Sequence, residues 1–302
     1  MNNFVFKKIN CPICKVSESK SLGFNGGKSH PNNKGVECEI FQCNKCNLLY
    51  PNPFPFPKNI QLLYNKTEVY FEHYASKDWD KRSTEHESTI KKILQYTDNK
   101  EKINLLEIGS GRGEFQQSCK KFNKINPIGI DISDEYIEYA KNKGLTILNK
   151  DLDYFINLKQ KFDIIVLIAT LEHFHDPDLL MKNINLIANK NAIIYIDCPN
   201  EPHLLTIIYK YIMKILRKNR TLCLQPTWAP YHVFGFNKKS LYQILLNNNF
   251  QVLKFKICAP AKVNLGDTFK KKLLSYTITT INIVANIFNV SQNIFIIGKK
   301  IN

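Results

Sequence analysis

From Lys102 onward the chain alternates short apolar runs with amphipathic stretches. Leu105, Leu106 and Ile108 form the kind of apolar run that makes a buried parallel strand, and Gly109, Gly111 and Gly113 follow it at once. The same reading predicts a strand over Asn104 to Ile108, a helix from Glu114, and a strand over Pro127 to Ile132. A helix over Ser133 to Lys143 and a short strand over Leu145 to Leu148 come next. A strand over Phe162 to Ala169 precedes a helix over Pro177 to Asn189, with Asp176 as N-cap and Pro177 at the first helical position. Ala192 to Cys198 is a further strand. Repeated strand and helix units imply an α/β fold, a doubly wound parallel sheet covered by helices on both faces. Such a sheet binds its ligand outside the carboxyl ends of its strands, where Gly109, Asp131 and Ala169 fall.

The remaining stretches are read against that core. Pro51 to Pro57 carries four prolines in seven residues and is expected to be irregular, a boundary between an N-terminal module (1–57) and a linker (58–100). Within the linker, Thr84 to Glu87 has capping-box spacing ahead of Ile90, Ile93 and Leu94, and Tyr70 and Phe71 are candidates to line a pocket. The main domain (101–302) is interrupted at about 200–236. There Leu204, Ile208, Tyr211 and Ile215 recur at helical spacing, while Lys210, Lys214, Arg217, Lys218 and Arg220 crowd the other side and the far end. Three readings stand for 204–220: a lid, a basic helix in peripheral contact with an anionic membrane, or a solvated basic face. The lid ranks first, because an insertion after the fifth strand opens onto the ligand edge of the sheet. A helix over Lys238 to Asn248 and a strand over Phe250 to Ile257 follow. Leu273 to Val290, with polar residues every three or four positions, reads as a surface helix with one wet face, and Ile294 to Ile297 as a final strand.

The glycine turn carries the chemistry. Glycines at alternate positions allow positive φ and close approach of the backbone to a ligand, while free N–H groups of the following helix face the same crevice. The spacing is G-x-G-x-G, unlike the dinucleotide fingerprint, and Glu107 sits in the strand end before it; together these favour a cationic, phosphate-free ligand. Asp131 arrives twenty residues after Gly111, where a ribose diol needs an acceptor. Leu106 to Gly113, then Gly129-Ile130-Asp131-Ile132-Ser133, then Phe162 to Val166 running into Leu171-Glu172-His173-Phe174-His175-Asp176-Pro177, resemble the class I S-adenosylmethionine-dependent methyltransferases. The resemblance implies a seven-stranded Rossmann-like sheet and S-adenosyl-L-methionine as cofactor. It places Glu107, Gly109, Gly111, Gly113, Asp131, Ile132, Asp151 and Ala169 around that cofactor; Asp151 has a competing reading as a helix N-cap. A proton acceptor is needed when the methyl acceptor is a hydroxyl, and His173, His175 and His232 are the candidates. His232 is preferred, since related proteins carry a histidine there, with His173 second.

Cys11-Pro12-Ile13-Cys14 and Cys43-Asn44-Lys45-Cys46 form two C-x-x-C pairs, which predict one tetrahedral thiolate site. Structural zinc is expected; iron or an iron–sulfur centre uses the same ligands. The run Phe41 to Pro53 resembles the zinc ribbon ahead of a group of bacterial methyltransferases, many of which act on sugars and surface glycans. Lys15 and Asn47 stand where glycine usually follows each knuckle. His30 and Cys38, in the intervening loop, are read as bystanders.

With 302 residues, 44% hydrophobic and 23% charged, the composition is that of an ordinary globular chain. The net charge of +16 comes with abundant Asn and Ile and is read first as a compositional bias, although it suits an anionic partner. The N-terminal ten residues lack a secretory pattern, so a cytoplasmic location is expected, with the inner membrane face as its peripheral variant. The expected function is methyl transfer to a sugar, a surface-glycan precursor or another small metabolite. The alternative is an RNA methyltransferase whose basic zinc module holds rRNA or tRNA.

Overall fold

The structure is a computed structural model that describes residues 3–64, 79–259 and 268–301. Its strands are β1 (Phe4–Lys7), β2 (Ser19–Asn25), β3 (Cys38–Cys43), β4 (Leu49–Pro51), β5 (Phe54–Pro57), β6 (Ile103–Ile108), β7 (Ile125–Ile130), β8 (Ile147–Leu148), β9 (Phe162–Ile168), β10 (Ala188–Pro199), β11 (Phe250–Cys258) and β12 (Asn293–Lys300). The helices are α1 (Gln61–Tyr64), α2 (Trp79–Leu94), α3 (Glu114–Cys119), α4 (Asp134–Asn142), α5 (Leu152–Asn157), α6 (Pro177–Ile187), α7 (Leu204–Ile215), α8 (Lys238–Asn247) and α9 (Phe269–Ile287).

Seven strands form the main sheet in the order β11-β12-β10-β9-β6-β7-β8. β6 pairs in parallel with both β7 and β9, and β9 with β10, whereas β12 runs antiparallel to β10 and β11. The order reverses between β6 and β9, so the loops after these two strands diverge and leave a crevice at their carboxyl ends. β6 and β9 are central because they are apolar on both faces. Leu106, Ile108, Ile165 and Leu167 pack into one core, and Ile103, Leu105, Ile164 and Val166 into the other.

The cysteine module is joined to this sheet through its interior. Cys11, Ile13, Cys43, Cys46, Leu48, Tyr50 and Phe54 belong to the same continuous core as the first face of the sheet. The module's own three-stranded sheet, β2-β3-β4, is covered by residues 219–236, which leave the main domain after α7. Phe24 N–H donates to Asn219 O, Thr221 N–H to Phe24 O, and Leu49 and Gly235 exchange backbone hydrogen bonds of 2.9 Å in both directions. Cys38, Ile40 and Leu49 pack there against Cys223 and Leu224.

The structure corrects three expectations. The proline-rich stretch is not irregular: β5 pairs antiparallel with β1, Val5 opposite Phe56. Prolines are tolerated because this is a two-stranded ribbon with free outer edges. Thr84 does not cap a helix, since α2 begins at Trp79 and runs through it. The polar stripe of 273–290 is not the wet face of α9, because Ser275, Asn282 and Ala285 are buried while Leu273, Tyr276, Ile287 and Phe288 are exposed. Period alone says which residues share a face, not which way the face points. Asp176 caps α6 through Leu179 N–H at 2.9 Å, as expected, with Pro177 at its first position. Tyr70 and Phe71 lie outside the described residues.

Asn237 ties the modules together. Its Oδ1 accepts from Lys239 and Ser240 N–H as the N-cap of α8, and its Nδ2 donates to Asn47 O in the second cysteine knuckle at 2.7 Å. Asn237→Ala is expected to cost about 1–2 kcal/mol, the usual loss for an N-cap, with an added share from the freed Asn47 carbonyl. Urea unfolding of the two proteins checks this, and an unchanged midpoint would refute it.

Candidate active site and cysteine centre

Gly109, Gly111 and Gly113 all have positive φ, at 71°, 53° and 90°, yet they serve three different ends. A Cβ on Gly109 would lie 2.5 Å from the Thr170 side chain, so its absence lets the loops after β6 and β9 touch. A Cβ on Gly113 would strike Leu145, and that glycine lets α3 close on the sheet. Gly111 alone faces open space, with nothing within 4 Å of its missing side chain. Its N–H donates to Asp131 Oδ2 at 2.7 Å, and Ser133 N–H donates to Asp131 Oδ1 at 2.9 Å. These bonds fix the carboxylate at the end of β7, while burial pushes its pKa upward against their lowering effect.

A broad cleft of about 1340 Å³ opens at this edge. Gly109, Gly111, Asp131, Ile132, Asp151 and Ala169 line it together, so six of the eight expected cofactor positions converge. Asp151 accepts from Tyr154 N–H at 3.2 Å as the N-cap of α5 while also lining the cleft. Gly113 is not in the lining, and Glu107 lies beneath it, buried, accepting from Gln116 Nε2 at 3.1 Å. Burial raises the Glu107 carboxyl to about 8.

The far wall of the cleft includes Tyr64, His173, Phe174 and His175. Tyr64 Oη lies 3.4 Å from His173 Nδ1, and the His173 and His232 rings stand with centroids 5.0 Å apart. His232 does not line the cleft itself but arrives beside His173 on the 219–236 segment. Burial, and for His173 also the neighbouring His232, lowers these imidazoles to about 3 and about 4, so both are neutral near pH 7. His175 packs instead against Phe54 and Phe56 of the N-terminal ribbon.

Sequence reading passed over Glu172, although it stands inside the quoted Leu171 to Pro177 run. Its carboxyl is buried, 3.9 Å from Nε2 of both His173 and His232, and neither oxygen has a hydrogen-bond partner among the described residues. Burial raises it to about 8. Its donor atom and those of the two histidines lie within 4.8 Å of one another, an arrangement able to pass a proton or to hold a cation. Tyr64 and Thr170 were also missed; each sits in an aromatic or loop stretch with no spacing signal of its own.

The four sulfurs of Cys11, Cys14, Cys43 and Cys46 lie within 4.8 Å of one another, with 3.6 Å between Cys11 and Cys46. Lys15 and Asn47 follow the knuckles with φ of 60° and 62°, the left-handed turn that a glycine would otherwise supply. Lys15 is held there with its Nζ 2.9 Å from Asp178 on α6. The hydrogen bond between Cys11 and Cys46 lowers the Cys11 thiol and raises that of Cys46, so the pair shares one proton. The set fits a tetrahedral metal ion; His30 and Cys38 are not part of it.

Glu107 generates a pH dependence. Between about pH 4.5 and 8 the unfolded chain has released a proton that the folded chain keeps on this carboxyl, so its contribution to stability falls as pH rises. The slope is bounded by about 1.4 kcal/mol per pH unit. Glu107→Gln is expected to flatten the fall measured by urea unfolding from about pH 5 to pH 8, and an identical slope in the variant would show that Glu107 does not titrate there.

A family model described as "Methyltransferase domain" matches residues 72–254, more than half of the chain. Among curated proteins, the ubiquinone biosynthesis O-methyltransferase of Pelagibacter ubique is 30% identical over 162 residues, covering 50% of this chain and 63% of that protein. Its namesake in Coxiella burnetii is 27% identical over 124 residues, covering 38% and 53%. This chain therefore spans between half and two thirds of the length of those relatives. Among solved structures, a SAM-dependent methyltransferase from Archaeoglobus fulgidus superimposes with a TM-score of 0.51 at 20% identity, over 77% of this chain and 98% of that one, a likeness of fold. The matched span runs from α2 to β11 and takes in the glycine turn, Asp131 and both histidines, and on that ground the chain belongs to the methyltransferase domain family.

Proposed function

We propose that this chain transfers the methyl group of S-adenosyl-L-methionine to a hydroxyl of a sugar, a glycan precursor or another small metabolite. The observation that carries the reading is the pairing of Gly111, open to the cleft, with Asp131, held by two backbone N–H groups at the end of β7. The residues suit the cofactor: a carboxylate for the ribose hydroxyls in Asp131, bare backbone at Gly109 and Gly111, and apolar wall from Ile132 and Ala169. When bound, S-adenosyl-L-methionine supplies an electrophilic methyl on a sulfonium.

The remaining work falls to the chain. The acceptor hydroxyl must be held in line with that methyl and lose its proton. In this reading His232, with His173 beside it, accepts the proton, and the buried Glu172 carboxyl, 3.9 Å from Nε2 of both rings, is the neighbouring group to which that proton can pass once the carboxyl is ionised. A neutral imidazole is the form able to do so, and burial keeps both rings neutral. The cysteine set takes zinc, four thiolates leaving no open position, so the ion's role is structural. The same reading divides the chain into a cysteine ribbon (1–57), a connecting segment (58–100) and a transfer domain (101–302) with its insertion at 200–236. An RNA acceptor is the competing reading. It draws on the charge of +16 and on a mouse protein named probable tRNA methyltransferase 9B, 24% identical over 58% of this chain and 34% of its own length.

Asp131→Ala is expected to weaken S-adenosylhomocysteine binding about tenfold or more with the fold retained; equal affinity by calorimetry would remove Asp131 from the site. His232→Ala is expected to lower the transfer rate about 10²- to 10⁴-fold at unchanged cofactor affinity, and a wild-type rate would overturn its role as base. Cys11→Ser with Cys43→Ser is expected to abolish a bound zinc signal in elemental analysis of the purified protein. The acceptor is identified by following methyl label into a nucleotide-sugar and glycan fraction and into an RNA fraction; label in RNA alone would replace the proposal with its competitor.

A further inference from the structure

α7 and α9 are turned inside out. On α7 the buried side chain is Thr206 and Leu204 is half-buried, while Ile208, Tyr211, Ile212 and Ile215 point away from the protein, Tyr211 62% and Ile215 80% exposed. α9 buries Ser275, Asn282 and Ala285 and presents Leu273, Leu274, Tyr276, Ile283, Ile287 and Phe288 outward. The inward polar groups of α9 have work to do there. Asn286 Oδ1 accepts from Ala259 N–H at 2.9 Å, its Nδ2 donates to Ala259 O at 3.1 Å, and Ser291 Oγ donates to Asn286 Oδ1 at 2.6 Å. The helix is thus held to the domain by its hydrogen bonds, and its apolar side is left over.

The two helices share one edge of the molecule. Leu204 N–H, at the start of α7, donates to Val290 O just beyond the end of α9 at 2.8 Å, and Asn200 N–H donates to Gln292 O at 2.7 Å. Pro199, the last residue of β10, pairs with Asn293, the first of β12, so this junction lies at the carboxyl edge of the sheet, the same edge as the cleft. Cations accompany both apolar faces. Lys210, Lys214, Arg217 and Lys218 go with α7, and Lys270, Lys271 and Lys272 begin α9; all are exposed, and none forms an ion pair among the described residues.

We infer that α7 and α9 together form a docking face for an anionic lipid bilayer, on which the protein lies without crossing it. No described helix is long and apolar enough to span a membrane. Apolar side chains flanked by lysine and arginine suit the boundary between headgroups and acyl chains, where the long basic side chains reach back to the phosphates. Charge complementarity selects the bilayer over a second copy of the chain. Two such faces brought together would set seven cations against seven at a net charge of +16 per chain, whereas an anionic surface neutralises them. The inference does not depend on the identity of the methyl acceptor.

The test is flotation of the full chain with phosphatidylcholine vesicles and with vesicles of phosphatidylcholine mixed with phosphatidylglycerol. Binding to the mixed vesicles that weakens with added salt is the expected result. Tyr211→Ser with Ile215→Ser, and separately Ile287→Ser with Phe288→Ser, are expected to weaken it about tenfold or more. Lys210→Glu with Lys214→Glu should do the same. These side chains are exposed, and circular dichroism and S-adenosylhomocysteine affinity should match the parent in every variant. No flotation with either vesicle would overturn the inference. So would equal binding by all variants, or a dimer in solution that Tyr211→Ser with Ile215→Ser dissociates, which would give the face to a second copy. Retention on RNA lost by the lysine variants, without vesicle binding, would give it to nucleic acid.

Discussion

The carbonyl oxygen of Glu172 accepts two backbone hydrogen bonds, from Val233 N–H at 3.0 Å and Phe234 N–H at 3.2 Å. It lies in the 3₁₀ turn just after β9, where a parallel strand must release its chain into the ligand crevice, and it pins there a segment that arrives sixty residues later. That contact sets His232 beside His173 and closes the space around the Glu172 carboxyl. The rest follows from the same junction: Phe234 stacks on Phe54 with centroids 5.2 Å apart, Gly235 pairs with Leu49, and Asn237 reaches Asn47 in the cysteine knuckle. One peptide unit thus links the turn after β9, the strap of residues 219–236 and the N-terminal sheet.

Desolvation outweighs charge pairing among the buried titratable groups beneath and behind the cleft. Glu107, Glu172 and Glu201 are all raised to about 8, each chiefly by burial, while the histidines beside Glu172 are lowered by the same cause. Removing water from acids and bases alike reverses their usual order of proton affinity, so near pH 7 the Glu172 carboxyl keeps its proton, both imidazoles are neutral, and no ion pair forms among the three.

Much of the architecture was legible because its signals are local. Leu105, Leu106 and Ile108 are apolar on both faces of one strand, the glycines follow directly, and Asp176-Pro177 opens a helix; each is decided by a few adjacent residues. The four cysteines were legible for the same reason, two short knuckles with fixed spacing. What could not be read depends on long-range pairing. The antiparallel placement of β12 between β10 and β11, the strap across β2 to β4, and the meeting of Glu172 with His232 join residues whose separation carries no periodic mark. The outward turn of α7 and α9 was hidden differently. Their periodicity was visible, but the buried side is chosen by hydrogen-bond partners such as Ala259, and the polar groups won it.

The strap also has a consequence for the order in which the protein is made. The N-terminal sheet lacks part of its core until Cys223 and Leu224 have been added, and Leu49 lacks its backbone partner until Gly235 is in place. Until residue 235 has been made, a chain leaving the ribosome carries this sheet with a half-covered face. Four free thiols and the apolar residues of β3 and β4 wait together through that interval, so capture of a metal ion by the early knuckles would hold the module in shape before its cover arrives.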